Sequence, residues 1–512
     1  MGTLARQPAG PDLSDRQTKQ RSRPLQPSRA DLVIDRALIG GRWVSEVGGR
    51  TFAVLDPADG SHVIDVPDCG ATEASAAADC AANALRDWSA RTGKERSQLL
   101  RQWHGALLAH QEDLARLLSR EQGKPLAESR GEVAAGAAYV EWFAEEAKRA
   151  YGDVIPEPTR GRKLIVVKEP VGVVAAITPW NFPIAILARK IAPALAAGCT
   201  IVAKPAEDTP LSALAIARLA EEAGIPAGVI NIVPASRHRA GEVGDAWLQD
   251  FRVRKLTFTG STAVGKSLAR GSADTLKKLS LELGGNSPFI IFDDADLDAA
   301  VAGTMASKFR NTGQTCICAN RILVQGSVYA AFAEKLTAAV SRLTVGPAAS
   351  GDADQGPLIN DRARIKVEQH VHDALGRGAR LLTGGKRHRL GGNFYEPTVL
   401  GEANPSMRLA SEETFGPVAP LFRFETESEA IALANDTPFG LASYFYARDI
   451  GRVWRVAQAL EAGTIGINEG IITTEVAPFG GVKASGYGRE GSKYGLEDYQ
   501  HLKYLCMGGL SA

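Results

Sequence analysis

Short apolar runs alternate with helix-like segments through the middle of the chain. Four runs, at residues 173–177, 200–204, 229–233 and 255–259, are predicted as strands because they are mostly apolar or β-branched. Between the first two strands, Pro183 is placed for the first turn of a helix. A second helix is predicted to begin with Thr209 as its cap and Pro210 in its first turn, and to end at Gly224. Such alternation predicts βαβ units and a parallel sheet, with any ligand at the carboxyl ends of its strands.

A second α/β series follows the first. Strands are predicted at 287–292 and 321–324, and a helix at about 328–342. Two further segments, 163–168 and 499–506, are flanked by polar residues and are predicted as exposed strands. An exposed strand edge invites pairing with another subunit, so we expect a homo-oligomer.

Length and composition indicate a large α/β protein rather than a nucleic-acid or membrane protein. A chain of 512 residues exceeds what one core usually holds, so two or more domains are expected. With 59 basic and 58 acidic residues it has no net field to attract nucleic acid or an anionic membrane. The longest apolar run, about 171–180, is too short to span a bilayer. We expect a cytoplasmic protein.

The first thirty or so residues differ from the rest, mixing Arg, Gln, Pro and Ser without an apolar stretch. They predict a disordered tail. A transit peptide is the alternative, but Asp12, Asp15 and the prolines count against it. The six cysteines of so long a chain do not predict a disulfide scaffold, and none has zinc-site spacing, so no metal is expected.

A glycine turn between a strand and a helix start has two possible interpretations. Residues 255–267 read KLTFTGSTAVGKS, and such a turn aims backbone N–H groups at a phosphate, here from Gly260 and Ser261. The same stretch satisfies the GxxxxGK[ST] pattern, and Asp293 ends an apolar strand as a magnesium ligand would. A P-loop NTPase is therefore the rival from another class. A tight turn without a ligand is the third possibility.

A polar, glycine-bearing loop carries a cysteine that a substrate can reach. Residues 309–318 read FRNTGQTCIC, with Cys316 near the end. A free thiol is only slightly ionised at pH 7, so a base is expected nearby. Glu282, in the segment LELGGN, is the candidate because apolar surroundings raise a carboxyl pKa. Taken singly, a glutamate such as Glu282 is more often a solvated strand-end residue, and a lone cysteine such as Cys316 is more often a buried filler.

The turn TPWNFP after the first strand adds a possible oxyanion donor. Asn181 lies in this strand-to-helix turn, where its amide can stabilise the oxyanion that forms when a thiolate adds to a carbonyl. From this stretch alone, an asparagine that simply caps the helix is at least as good an interpretation.

Together, in this order, these motifs resemble the aldehyde dehydrogenase superfamily. The resemblance extends from about Ala37 to Leu510 and includes the Cys316 loop, Glu282, the WNFP turn, FTGST at 258–262 and EETFGP at 412–417. Within the superfamily, the segments KPAEDTP at 204–210, SKFR at 307–310 and the glycine-rich run 478–495 are most similar to succinate-semialdehyde dehydrogenases.

The resemblance implies an aldehyde dehydrogenase-like α/β fold with three parts. These are a Rossmann-like cofactor domain (34–151 and 171–281), an α/β catalytic domain (282–490) and β oligomerisation segments (152–170 and 491–512), after a tail at 1–33. It implies a homotetramer or dimer that uses NAD, with NADP also possible. It also favours the dinucleotide over the P-loop interpretation, because the matching loop places Gly260 and Ser261 under a pyrophosphate.

The resemblance also assigns roles to residues. Cys316 is the nucleophile, Glu282 the base that activates water, and Asn181 the oxyanion donor. The implied cofactor contacts are Trp180, Lys204, Glu207, Gly260, Ser261, Leu283, Glu413 and Phe415.

The implied substrate is a short semialdehyde with a terminal carboxylate, succinic semialdehyde being the first candidate. Its acid would be held by Arg189 and Arg310, beside Thr473 and Phe479. Glutaric semialdehyde and a sulfonated short aldehyde are the alternatives. Where related enzymes often carry Ser this chain has Thr473-Thr474, which adds a methyl group beside the acyl chain. Cys318 is a redox candidate, because some family members with such a Cys-x-Cys pair are redox-regulated; a bystander thiol is the alternative.

Overall fold

The computed structural model describes residues 25–45 and 48–510. Its strands are β1 (Ala37–Ile39), β2 (Arg42–Val44), β3 (Thr51–Leu55), β4 (His62–Pro67), β5 (Asp153–Ile155), β6 (Lys163–Pro170), β7 (Val173–Ile177), β8 (Thr200–Lys204), β9 (Ile230–Ile232), β10 (Val253–Thr259), β11 (Lys278–Glu282), β12 (Pro288–Ile291), β13 (Arg321–Gln325), β14 (Arg380–Thr383), β15 (Thr398–Ala403), β16 (Val418–Phe424), β17 (Ala442–Tyr446), β18 (Thr464–Ile467), β19 (Gly486–Tyr487) and β20 (Gln500–Met507). Its α-helices are α1 (Ala71–Ser89), α2 (Gly93–Ala109), α3 (Gln111–Gln122), α4 (Leu126–Glu146), α5 (Pro183–Ala197), α6 (Pro210–Glu222), α7 (Ala240–Gln249), α8 (Thr262–Ser272), α9 (Leu297–Lys308), α10 (Tyr329–Val340), α11 (Asp361–Gly376), α12 (Arg408–Ser411), α13 (Glu427–Asn435), α14 (Ile450–Ala459) and α15 (Ser492–Glu497).

The predicted parallel sheet forms the centre of the first layer, and its four predicted strands are confirmed as β7, β8, β9 and β10. The sheet has the order β19-β11-β10-β7-β8-β9-β1-β2, with β11 to β9 parallel and β1, β2 and β19 antiparallel. Successive side chains of β7 enter opposite cores, Val173 one and Val174 the other, because strand side chains alternate between the faces of a sheet. Helices cover both faces, which is why the strands read as continuous apolar runs.

The second α/β series forms a separate sheet, as predicted. Its order is β14-β15-β16-β13-β12-β17-β18, and all neighbours are parallel except β14 and β15. Phe289 and Ile290 of β12 again point into different cores on the two faces. The predicted helix at 328–342 is α10, which packs on this sheet.

The two predicted exposed strands pair with each other. β6 and β20 run antiparallel over eight residue pairs, and β5 lies on the other edge of β6. Residues 501–507 of β20 are all exposed, including the apolar side chains of Leu502, Tyr504 and Met507. Among the described residues, no helix is long and apolar enough to cross a membrane.

The predicted N-terminal tail ends earlier than expected. Residues 1–24 of the predicted tail lie outside the described residues. The prediction is wrong for residues 25–33, because Leu32 is fully buried in the first core and Arg29 forms an ion pair with Glu222 of α6 at 2.8 Å. Contacts with the folded chain thus fix a segment whose composition is otherwise typical of disorder.

Candidate active site

The carboxyl ends of three neighbouring parallel strands meet at one edge of the first sheet. The turn with Asn181 follows β7, Gly260 and Ser261 follow β10, and Glu282 ends β11. Ser261 caps α8 by accepting the N–H of Val264 at 3.4 Å, so the helix N-terminus opens at this edge. Gly260 has no room for a side chain, since a Cβ there would lie 2.4 Å from the Phe258 ring.

A cavity of about 390 Å³ lies above this edge, between the two large sheets. It gathers most of the side chains that the sequence singled out. The predicted residues among those that line it are Trp180, Asn181, Gly260, Ser261, Glu282, Leu283, Cys316, Glu413 and Phe415. The rings of Trp180 and Phe415 meet edge to face, with centroids 5.5 Å apart. We call this space the first cavity.

A second cavity of about 290 Å³ reaches Cys316 from another direction. Its lining includes the other group of predicted residues, Arg189, Arg310, Thr473 and Phe479. Cys316 lines both cavities. A thiol in this position can therefore contact one ligand in the first cavity and a second ligand in the second cavity.

The loop before Cys316 is held in an uncommon backbone conformation. Asn311 and Thr312 have φ values of 51° and 57°, a region that non-glycine residues seldom adopt. The Asn311 N–H donates to the Glu128 carboxylate at 2.9 Å, and its side-chain oxygen accepts from Gln122 at 3.1 Å. Buried hydrogen bonds thus maintain a strained loop, which is typical of functional sites.

The surroundings of the Cys316 thiol favour its protonated form. Burial raises its pKa to about 12, and the nearby Glu413 carboxylate acts in the same direction. Arg189 opposes this only in part. Since the thiolate is the nucleophilic form, attack by Cys316 requires a group that takes up the proton.

Glu282 has the properties of that group. It is 2% exposed, and within the described residues neither carboxylate oxygen has a hydrogen-bond partner. Burial raises its pKa well above the usual value, and the neighbouring Glu490 carboxylate adds to the effect. A buried carboxylate without hydrogen bonds is a strong base for its type, as general-base catalysis requires.

The Asn181 amide is oriented by a main-chain carbonyl. Its Nδ2 donates to the Gln314 carbonyl at 3.1 Å, and because a carbonyl only accepts, the nitrogen must lie on that side. One N–H of the amide remains for a ligand. Asn181 is 3% exposed and lines the first cavity beside Cys316. The alternative of a simple helix cap is not what the structure has, since Phe182 is the N-cap of α5 and no side chain caps it.

The two predicted arginines differ in their surroundings. Arg189 Nε lies 2.5 Å from Glu490 Oε2, and the Arg189 guanidinium stacks 4.5 Å from the centre of the Phe479 ring. Glu490 also forms an ion pair with Lys190. Arg310 stacks 5.2 Å from the Phe182 ring, and no carboxylate of the described chain lies within ion-pairing distance of it. Of the two arginines in the second cavity, Arg310 is therefore the one whose positive charge is not neutralised by an ion pair.

Three predicted site residues lie outside both linings. Lys204 is buried and donates to the Pro205 carbonyl at 2.9 Å, and neither it nor Glu207 lines the first cavity. The Cys318 thiol donates to the Gly313 carbonyl at 3.3 Å and accepts from Lys308 at 3.6 Å, away from both cavities. Its redox role stays a prediction.

Comparison with known proteins identifies the scaffold. Residues 43–505 match the aldehyde dehydrogenase family. The chain belongs to the aldehyde dehydrogenase family. This aldehyde dehydrogenase is 58% identical over 479 residues to a 3-sulfolactaldehyde dehydrogenase of Pseudomonas putida, covering 94% of this chain and 98% of the relative. It is 57% identical to the NADP-dependent succinate-semialdehyde dehydrogenase of Escherichia coli, covering 94% and 99%. A glutarate-semialdehyde dehydrogenase of Pseudomonas aeruginosa is 56% identical, with 95% and 100% covered.

Solved structures agree with the aldehyde dehydrogenase fold. A succinate-semialdehyde dehydrogenase from Burkholderia pseudomallei has a TM-score of 0.93 at 57% identity, covering 94% of this chain and 99% of the other. A betaine aldehyde dehydrogenase from Staphylococcus aureus, in complex with NAD⁺, has a TM-score of 0.90 at 37% identity, covering 93% and 97%. Family membership is shown, whereas the relatives' names point to three different substrates.

The P-loop interpretation is wrong for this aldehyde dehydrogenase. In a P-loop the lysine of the GK pair must reach the phosphates, but Lys266 is exposed on α8 and does not line the first cavity. Asp293 is exposed in the turn after β12, where it forms an ion pair with Arg452 at 2.9 Å. The lysine and aspartate of the pattern therefore match by coincidence.

Several charged residues at the first cavity were not predicted from the sequence. Arg237, Arg362 and Lys366 line it, and together they give the cavity a positive rim. Arg362 and Lys366 lie one turn apart on α11, and this spacing is the only signal that the sequence offers for them. Aldehyde dehydrogenases use NAD or NADP, and a positive rim beside a helix N-terminus fits the two negative phosphates of such a dinucleotide.

Proposed function

We propose that this aldehyde dehydrogenase oxidises a short aldehyde that carries a terminal acid, with succinic semialdehyde the best candidate. The observation that carries the proposal is the position of Cys316 between two cavities, one suited to a dinucleotide and one containing two guanidinium groups. Guanidinium groups bind carboxylates through paired, charge-assisted hydrogen bonds. The second cavity would thus hold the acid end while the aldehyde lies at Cys316.

The first half of the proposed reaction forms a thioester on Cys316. The Cys316 proton is taken up by Glu282, and the thiolate sulfur bonds to the aldehyde carbon while the carbonyl oxygen becomes an oxyanion. The free N–H of the Asn181 amide and the Cys316 backbone N–H stabilise that oxyanion. A nicotinamide bound in the first cavity would supply the acceptor for the hydride that leaves this carbon. Collapse of the oxyanion to a carbonyl then gives the thioester.

The second half releases the acid. Glu282 first releases the Cys316 proton to solvent and then takes a proton from water, whose oxygen attacks the thioester carbon, and the sulfur leaves with the bonding electrons. Cys316 is regenerated and one carboxylate is formed. The raised pKa of Glu282 suits this step, because a more basic carboxylate removes a proton from water more readily.

The residues proposed to hold the cofactor come from both large sheets. Gly260 and Ser261 would contact the pyrophosphate through backbone N–H groups. Lys204 and Glu207, which follow β8, would hold the adenosine ribose. The remaining contacts would come from Trp180, Leu283, Glu413 and Phe415, all of which line the first cavity.

A panel of short aldehydes tests the proposed substrate class. We expect kcat/KM for succinic semialdehyde to exceed that for butanal by about 100-fold or more, since butanal has a similar length but lacks the acid that the arginines bind. Purified enzyme is assayed by the appearance of reduced cofactor with each aldehyde. Equal kcat/KM for the two would exclude recognition of a terminal acid.

Glutaric semialdehyde and 3-sulfolactaldehyde belong in the same panel. One methylene changes the free energy of binding in a pocket by only about 1–3 kcal/mol. The kcat/KM values of succinic and glutaric semialdehyde should therefore differ less than those of succinic semialdehyde and butanal. Thr473 lines the second cavity, and its methyl group would narrow the space for the acyl chain, which favours the shorter substrate. A sulfonate presents three oxygens to the same arginines and is the second candidate, supported by the relative that is named for it.

We propose that NAD is preferred to NADP. The carboxylate of Glu207 would accept hydrogen bonds from the ribose hydroxyls and repel a 2′-phosphate. The buried Lys204 beside it moderates that repulsion. We therefore expect kcat/KM with NAD to exceed kcat/KM with NADP by about tenfold, equivalent to about 1.4 kcal/mol. In Glu207→Gln the ratio of the two kcat/KM values should be smaller. Saturation kinetics with both cofactors checks this, and a preference for NADP would reject it.

We propose that the enzyme is a homo-oligomer, a dimer or tetramer, assembled through the sheet β5-β6-β20. Exposed apolar side chains on a sheet edge are typical of a surface that another subunit covers. Light scattering coupled to size exclusion is expected to give a mass of two or four chains. Leu502→Glu with Tyr504→Glu should shift the mass toward one chain, and a monomeric wild type would contradict the proposal.

A further inference from the structure

A buried ion pair lies beside the turn that carries Asn181, and its glutamate, Glu132, also lines the second cavity. The side chains of Lys124 and Glu132 are 0% and 1% exposed and contact each other directly. Lys124 Nζ also donates to the main-chain carbonyl of Asn181 at 2.7 Å. Glu132 accepts the N–H groups of Ile184 at 2.9 Å and Ala185 at 3.3 Å, in the first turn of α5. The pair therefore fixes both ends of the segment 181–185.

The same segment is tied to the loop of the nucleophile. The Asn181 carbonyl accepts a second hydrogen bond from Asn311 Nδ2 at 2.9 Å, and the Asn181 amide donates to Gln314 at 3.1 Å. A carbonyl with two donors has both lone pairs occupied, so its peptide plane has little freedom to rotate. Lys124 and Asn311 together set where Asn181 stands relative to Cys316.

The energetics favour a geometric role for the pair. Removing two charges from water is costly, and well-packed apolar residues of similar size often stabilise a fold as well as a buried ion pair does. Apolar residues, however, offer no donor to the Asn181 carbonyl and no acceptor to the N–H groups of α5. What the charges add is therefore the fixed position of the turn.

We infer that Lys124 and Glu132 are positioning residues that hold the Asn181 amide at the oxyanion. The inference rests on the proposed role of Asn181 as oxyanion donor. Because every aldehyde passes through an oxyanion, loss of the pair should lower kcat for charged and uncharged aldehydes alike. This separates its effect from that of Arg310, which would act only on the acid end.

The test is a double-mutant cycle with butanal at saturating cofactor. The variant Lys124→Met with Glu132→Gln removes both charges together, so that neither is left buried alone, and Gln still caps α5. Loss of an oxyanion donor lowers kcat by about 10²–10³-fold. A misplaced Asn181 amide should lose part of that effect, so we expect kcat to fall by about tenfold or more. In the Asn181→Ala background the same two changes should lower kcat by less than about twofold, because the amide that they position is gone.

A matched control separates positioning from stability. Glu121 is also fully buried and caps α6 through the N–H groups of Leu211 and Ser212, each at 2.8 Å, but does not line either cavity. Glu121→Gln should change the melting temperature and leave kcat unchanged. If the double variant does not fold, Glu132→Asp, which keeps the charge but shortens its reach to α5, goes through the same cycle.

The outcomes are distinguishable. Equal fold-losses in the wild-type and Asn181→Ala backgrounds would overturn the inference and leave the role of Asn181 intact. An Asn181→Ala variant with wild-type kcat would instead overturn the oxyanion role proposed for Asn181, and the inference with it.

Discussion

Cys316→Ala is expected to lower dehydrogenase kcat at least about a thousandfold while leaving cofactor binding intact. The thiol is the covalent centre of the proposed reaction, and among the described cysteines Cys316 alone lines the two cavities. The sulfur of Cys318 contacts Gly313 and Lys308 instead. Cofactor binding is measured by quenching of tryptophan fluorescence. A variant that keeps more than about 1% of wild-type turnover would contradict the assignment.

Glu282→Gln should stop the reaction at a different step. Glutamine cannot remove a proton from water, so the thioester should accumulate and a burst of about one reduced cofactor per active site should precede a stall. Rapid mixing measures the burst, and intact-protein mass spectrometry detects the acyl group on Cys316. Because Glu282 also takes the first proton in our proposal, the burst should be slower at neutral pH and recover at higher pH, where solvent removes the thiol proton. Steady turnover near the wild-type rate would show that another base acts.

The pH dependence of the wild type follows from the same residue. Burial raises the pKa of Glu282 well above the usual range of a carboxyl, and only the ionised form accepts a proton. Where thioester hydrolysis limits the rate, kcat should therefore rise with pH through that raised pKa and then level off.

The elements that carry the site were predictable because their signals are local. β7 and β8 have the predicted bounds, and a proline marks the turn that follows each of them. In a parallel sheet the carboxyl ends of neighbouring strands meet, so motifs far apart in sequence were expected at one edge. Asn181, Gly260 and Glu282 come together for this reason.

What the sequence did not reveal are long-range partners. Glu490 lies in a glycine-rich run predicted only as a family segment, yet it pairs with Arg189 and raises the pKa of Glu282. Lys124 precedes α4 and Glu132 lies within it. In the sequence both look like ordinary charges on a helix surface, but both are buried. Charged residues are usually solvated, so the periodicity of the sequence gives no sign that Glu490, Lys124 and Glu132 are buried.

The surroundings of the arginines change how the substrate prediction is tested. Removing Arg189 also leaves Glu490 paired only with Lys190, and breaking a buried ion pair is costly. Arg189→Leu should therefore lower the melting temperature and reduce activity on every aldehyde, with the larger loss on the acidic one. Arg310 has no such partner, so it gives the cleaner measurement.

Arg310→Leu is expected to lower kcat/KM for succinic semialdehyde by about 10–150-fold, because a hydrogen bond to a charged group contributes about 1.5–3 kcal/mol. Leucine keeps the apolar contact with the Phe182 ring and removes only the charge and the donors. Butanal lacks the acid, so its kcat/KM should change by less than about twofold. Arg310→Lys, which keeps the charge but not the planar fork, should lie between wild type and Arg310→Leu. Steady-state kinetics on both aldehydes, with melting temperatures alongside, decides the matter. If both substrates lose activity equally, Arg310 maintains the Cys316 loop, and recognition of the acid must come from elsewhere in the second cavity.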